Sequence, residues 1–154
     1  MSDGFLLART RLATLADVNA VASLFDGYRQ FYAQAPDLTG ANRFLRERLE
    51  REQSVVLLAE GHAGQSLGFC QLYPSFCSVE AAPILTLYDL FVSPLARQGG
   101  VGRALLLAAE AHAKASGVVR MDLTTARNNQ SAQSLYESLG WVRDEVFFSY
   151  SRRI

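Results

Sequence analysis

The stretch Leu90-Phe91-Val92-Ser93-Pro94 runs into Arg97-Gln98-Gly99-Gly100-Val101-Gly102-Arg103, just where an apolar run gives way to a helical pattern. A helix start offers unpaired backbone N–H groups and the positive end of the helix dipole, and both favour a phosphate or diphosphate. Glycines let a ligand approach the backbone closely and tolerate unusual dihedrals. Arg97 and Arg103 are placed to add charge-assisted contacts. The same glycines also suit a ligand-free tight turn with close helix–sheet packing. Two other phosphate-binding readings fit less well. A dinucleotide turn needs Gly-x-Gly-x-x-Gly, which is absent. A nucleoside-triphosphate loop needs Gly-Lys-Ser/Thr, where this chain has Gly102-Arg103-Ala104.

Asp89 is the acid on the run that leads into this turn. Three roles are open to it: a base acting through water, a binder of a cationic amine, or a structural partner for nearby backbone groups. Tyr28, Phe31 and Tyr32 form an aromatic cluster. They suit either cation–π contact with an amine or plain packing. Tyr73 and Phe76 are similar candidates. Arg43, Arg46, Arg48 and Arg51 alternate with Glu47, Glu50 and Glu52, which reads as a solvated helix face. Neither His62 nor His112 has a neighbour that suggests catalysis.

The elements that must position these groups follow from periodicity and punctuation. Leu6–Leu12 reads as a strand. Thr14-Leu15-Ala16-Asp17 opens a helix carrying Val18, Val21, Ala22, Leu24 and Phe25 on one face. Gly27 is expected to break it, with a short helical piece over Tyr28–Gln34. Thr39 or Asn42 caps a further helix, Arg43–Glu52. Ser54–Glu60 and Leu67–Tyr73 form a hairpin around Gly61–Gly64, and Pro74–Pro83 reads as a loop. Ile84–Val92 is a long strand. The helix after the glycine turn runs from about Val101 to Ser116 and is closed by Gly117. Val119–Thr125 is a strand, Asn129–Leu139 a helix, and Trp141–Val142 and Val146–Tyr150 are short terminal strands. The order implies an α/β (α+β) fold: a mixed, mostly antiparallel central sheet flanked by helices, as one domain over residues 1–154.

Fifteen Lys and Arg balance fifteen Asp and Glu, so net charge argues against a large nucleic-acid-binding face. No leader-like or bilayer-length apolar stretch is seen, so no membrane partner is expected and the reading is cytoplasmic. The two cysteines, Cys70 and Cys77, show no metal-ligand spacing and are expected as reduced, packed thiols. No metal is expected.

One strand and one turn beyond the glycines comes Asn129-x-x-Ala132-x-x-x-Tyr136-Glu137-x-x-Gly140-Trp141. With Arg97, Gly100 and Gly102, this pair of motifs resembles the GNAT superfamily of N-acetyltransferases. The likeness covers about Ile84 to Tyr150. It implies acetyl-CoA as cofactor, its diphosphate on the N–H groups of Gln98, Gly99, Gly100, Val101, Gly102 and Arg103. The pantetheine arm would run beside Leu90, Phe91 and Val92, in room made by a splay or bulge between that strand and the next. Asn129 and Ala132 would lie along the cofactor, and Tyr136 would act as acid to the leaving thiol. Tyr88-Asp89 resembles the Glu-Asp of diamine acetyltransferases, with Asp89 matching the second acid and Tyr88 in place of the first. The implied reaction is direct acetyl transfer to a primary amine of a small molecule, polyamine-like or an amino compound, or of a peptide. Tyr28, Phe31, Tyr32 and Tyr88 would meet that acceptor. A non-catalytic acyl-CoA-binding module is the alternative, a nucleotide-binding protein the weaker third. The likeness also implies a homodimer.

Overall fold

The computed structural model describes residues 9–154, which fall into two compact units divided after Leu123. In the first unit β1 (Arg9–Leu12), β2 (Val55–Glu60), β3 (Ser66–Cys77), β4 (Ala82–Val92) and β5 (Met121–Leu123) form a sheet in sequence order. The first four strands pair antiparallel, and β5 joins β4 in parallel. The predicted strand Leu6–Leu12 begins at residues outside those described. Helices α1 (Val18–Phe31), α2 (Leu38–Glu50) and α3 (Val101–Ser116) complete the unit.

Period-two alternation on the central strands sends side chains to both faces. Val56, Leu58, Phe69 and Phe91 join Val18, Val21, Ala22, Leu24 and Phe25 of α1 and Ala41 and Leu45 of α2 in one core. On the other face α3 packs against β2, β3 and β4, and buries Val101, Leu105, Leu106, Ala109 and Ala113. At ~1.5–3 kcal/mol for each large apolar side chain removed from water, these two layers fix the strand register.

Several sequence expectations are corrected. Gly27 does not break α1; the helix runs through it because a Cβ there would meet the Phe91 ring at 3.2 Å, so the glycine permits close packing of helix on sheet. Helix α2 starts earlier than Arg43. Its cap is Asp37, whose carboxylate accepts from the Gly40 N–H at 2.8 Å, which puts Thr39 and Asn42 inside the helix. The expected loop Pro74–Pro83 shrinks to a turn between Cys77 and Ala82. Pro74 fits in β3 because it lies past the last β2 rung, Val55↔Leu72, where one side of the strand is unpaired. Strand β5 is limited to Met121–Leu123. The predicted helix after the glycine turn is found as expected, with Gly117 at φ 73° as its left-handed cap.

The second unit holds α4 (Gln130–Ser138), capped by Asn129 accepting from the Ala132 N–H at 3.2 Å. The two terminal strands do not form. Asp144 instead accepts from the N–H groups of Val146 and Phe147 at 2.8 and 3.2 Å, a local turn that competes with extended backbone. Among the described residues no helix is long and apolar enough to cross a membrane.

Candidate active site

Strand β4 carries the site. Its ladder to β5 ends at Leu87↔Leu123, so Tyr88–Val92 continue past the last rung on that side. On the other side Gln71 faces Asp89 while Leu72 already faces Leu87, which leaves Tyr88 as the extra residue of a bulge. The likeness implies a splay or bulge between this strand and the next one; the bulge observed at Tyr88 lies instead in the pairing with β3. The backbone of Leu90, Phe91 and Val92 lies just beyond. The Phe91 side chain is turned into the core against α1, so this residue offers its backbone alone.

The strand then leads through a turn of 3-10 helix, Pro94–Ala96, to the glycines. Gln98 is held at φ 67° and Gly100 at φ 80°. A left-handed glutamine is a strained residue of the kind found at ligand clamps. No side chain caps α3, and its first intrahelical bond runs from the Ala104 N–H to the Gly100 carbonyl at 3.0 Å. The first-turn amides of Val101 and Gly102 therefore keep the anion-binding character of a helix start, although the Val101 side chain is buried. A Cβ at Gly100 would meet nothing within 4 Å, so the face above the turn is open. Gln98, Gly99 and the outward-facing Arg103 side chain are exposed. These features fit a diphosphate. The Arg97 side chain also reaches back to the strand. Its Nε donates to the Val92 carbonyl at 3.1 Å, and its guanidinium lies 5.6 Å from the Phe91 ring centre. It braces the turn and keeps a charge beside it.

Next to the turn a cleft of about 680 Å³ opens between α1 and the ends of β3 and β4, with Gly27, Phe31, Phe91, Ser93 and Arg97 in its wall. Sequence reasoning gave no sign of it.

The bulge is surrounded by the predicted acceptor residues. Tyr28, half-buried, donates from its hydroxyl to the Tyr88 carbonyl at 3.2 Å. Its ring meets Tyr32 at 5.0 Å and Phe91 at 6.4 Å between centroids, and Tyr32 in turn meets Phe31 at 5.2 Å. Tyr73 and Tyr88 pack edge-to-face at 5.5 Å. Phe31, Tyr32 and Tyr88 are exposed at the rim, and Phe76 is exposed further along β3. Asp89 is only 3% exposed, and burial pushes its carboxyl above the usual range. Hydrogen bonds from Gln71 and Tyr28 oppose that rise. Burial, helped by the nearby Asp89 charge, also pushes up the phenols of Tyr28 and Tyr73 and the thiol of Cys70. Gln71, which sequence reasoning missed, donates from Nε2 to Asp89 Oδ2 at 2.5 Å. The available signal was a lone amide inside the apolar run Leu67–Leu72.

In the second unit, Asn129 is the α4 cap and Ala132 its hydrogen-bond partner. Tyr136 is the buried residue of that helix, its ring 6.2 Å from Trp141. Among the described residues no group of three His, Cys, Asp or Glu could hold a metal ion.

A bulged inner strand that outruns its parallel neighbour and leads into an uncapped glycine helix start defines an acyltransferase-type α/β fold. The model of the acetyltransferase (GNAT) family matches residues 20–141, and the chain belongs to that family. It is an acetyltransferase. It is 47% identical over 140 residues to the uncharacterized N-acetyltransferase YhfO of Bacillus subtilis (strain 168), covering 91% of this chain and 93% of the relative. A crystal structure of a probable acetyltransferase is 38% identical, with a TM-score of 0.89 over 95% of this chain and 97% of that one. The aminoglycoside N-acetyltransferase AAC(6')-Iy in complex with CoA shares the fold at 19% identity, with a TM-score of 0.80 over 96% and 95% of the two chains.

Proposed function

We propose that this acetyltransferase moves the acetyl group of acetyl-CoA directly to a primary amine that enters beside Asp89. One observation carries the reading: β4 bulges at Tyr88 and leaves its β5 ladder at Leu87, beside a buried carboxylate, then runs into an uncapped helix start. When bound, acetyl-CoA supplies the activated acyl group. The amides from Gln98 to Arg103 would hold the diphosphate, with the charge of Arg97 beside them. The backbone of Leu90, Phe91 and Val92 would align the pantetheine arm. By the motif likeness Asn129 and Ala132 would also lie along the cofactor, and the Tyr136 hydroxyl would give its proton to the leaving thiolate.

On the acceptor side, an alkylamine is mostly protonated at neutral pH and must lose a proton before it attacks. Asp89 is suited to receive it, directly or through water. Its buried carboxyl titrates above the ordinary range, closer to working pH, where a general base is most effective. Tyr28, Tyr32, Phe31 and Tyr88 would guide a cationic group by their ring faces. A thiol-release assay with acetyl-CoA over polyamines, amino acids, aminoglycosides and peptides tests the reading. Turnover on one class supports it and names the acceptor. Tight cofactor binding with no turnover on any amine would favour a binding module instead.

A further inference from the structure

The closest polar contact in the buried part of the site belongs to a residue that the chemistry so far leaves out. Gln71 is 0% exposed, and its Nε2 donates to Asp89 Oδ2 at 2.5 Å. The two residues are cross-strand partners, and Gln71↔Asp89 is the rung next to the bulge at Tyr88. We infer that Gln71 is a positioning residue, whose amide holds the Asp89 carboxylate in place to take up the proton of the incoming amine. This rests on the proposed role of Asp89.

Packing does not account for Gln71. Its neighbours on β3, Phe69, Cys70 and Leu72, are all 0% exposed and apolar. Its own Oε1 is buried without a hydrogen-bond partner. An unsatisfied buried acceptor keeps its desolvation cost, which methionine or leucine of similar shape would avoid. What the amide provides, and those residues cannot, is a donor aimed at Asp89. The carboxylate needs one. The titratable groups around it are phenols and a thiol: Tyr28 on α1 and Tyr32 just past its end, Cys70 and Tyr73 on β3, and Tyr88 on β4. The cation Arg48, on α2, acts on Tyr73. Against burial, the side chains that favour the charged form of Asp89 are Gln71, first, and Tyr28. A bulge also loosens the strand locally, so a rung anchored by a side-chain bond restrains the direction in which the carboxylate points.

The test uses the whole chain with ¹³C-labelled aspartate, its Asp89 signal assigned by D89N, and the variants Gln71→Met and Gln71→Asn. Methionine keeps the volume and removes the donor, while asparagine keeps the amide but falls a carbon short; either suffices if the other does not fold. The Asp89 titration midpoint should rise by about one unit or more in the variants, equal to at least about tenfold in its proton affinity. The acid limb of kcat/KM against pH should rise by the same amount, with activity recovering at high pH. A purely structural glutamine would lower activity evenly across pH. An unmoved Asp89 titration overturns the inference, and so does a moved titration with an unmoved acid limb. If the wild type turns over no amine at all, it is the transfer reading that fails, and the carboxylate titration still decides whether Gln71 holds Asp89.

Discussion

Replacing Gly100 by alanine separates backbone strain from ligand contact, because the same helix supplies a matched control. Gly100 starts α3 at φ 80° and Gly117 ends it at φ 73°, and a Cβ at either would meet nothing within 4 Å. Each alanine variant therefore carries the left-handed penalty of an L-residue, about 1–2 kcal/mol, with no clash added. At about 2–4 °C per kcal/mol for a chain of this size, both melting temperatures should fall by about 2–8 °C. Only Gly100 lies where a diphosphate would rest on the helix start. There the added methyl group should hold the ligand off the amides and weaken CoA binding at least tenfold, about 1.4 kcal/mol. Thermal melts and calorimetric titration with CoA at 25 °C read both effects. Gly117→Ala should bind CoA like the wild type. If the two variants melt alike and also bind CoA alike, the diphosphate does not sit on this turn.

Tyr136→Phe should lower turnover at least tenfold while CoA affinity stays within about twofold, as expected for a proton donor to the leaving thiolate; steady-state kinetics with calorimetry decide it, and unchanged kcat removes the residue from that role. Tyr28→Phe removes the hydroxyl that donates to the Tyr88 carbonyl; a net loss of about 0.5–1.5 kcal/mol in stability should come with a larger fall in kcat/KM, and equal losses in both would make the bond structural only. Acid stability should depend on Arg11, which bridges Asp17 and Glu60 at 2.7 Å each. Its hydrogen bonds hold Asp17 at about 2, below the ordinary 3.8. A depressed carboxylate contributes stability above its unfolded value, lost as pH falls through the folded one. The gap in unfolding free energy between wild type and Arg11→Met, about 1 kcal/mol after allowing for the partly exposed guanidinium, should therefore close between pH 4 and 2 in urea titrations.

Glycine and proline made much of the proposed cofactor half legible. Pro94 and Gly117 bracket the turn and α3: the proline opens the 3-10 turn just past the end of β4, and a left-handed glycine ends the helix. Residues whose meaning depends on a distant partner were not legible. Gly27 reads as a breaker until the Phe91 ring is set against it. The bulge at Tyr88 is a matter of register between two strands, which neither strand spells out alone. Gln71 is unremarkable in sequence, and acquires its role only when pairing sets it opposite Asp89. Pro74 suggested a loop because its lost donor matters only where a second strand needs it. The apolar tail around Phe147 and Phe148 looked like a strand, yet hydrophobicity without a pairing edge makes no sheet, and both side chains are exposed.

The main-chain character of the proposed anion cradle has a practical outcome. Trimming side chains one at a time to alanine leaves every peptide group in place, so such a survey would report Gln98 as tolerant and would register the buried Val101 only through lost packing. Relaxing Gln98 from its left-handed state, by a change to glycine, could even firm up the fold. On the proposed reading, abolishing acyl-donor capture calls for altering the path of the chain, through added methyls or an imino acid, before removing the charges of Arg97 and Arg103.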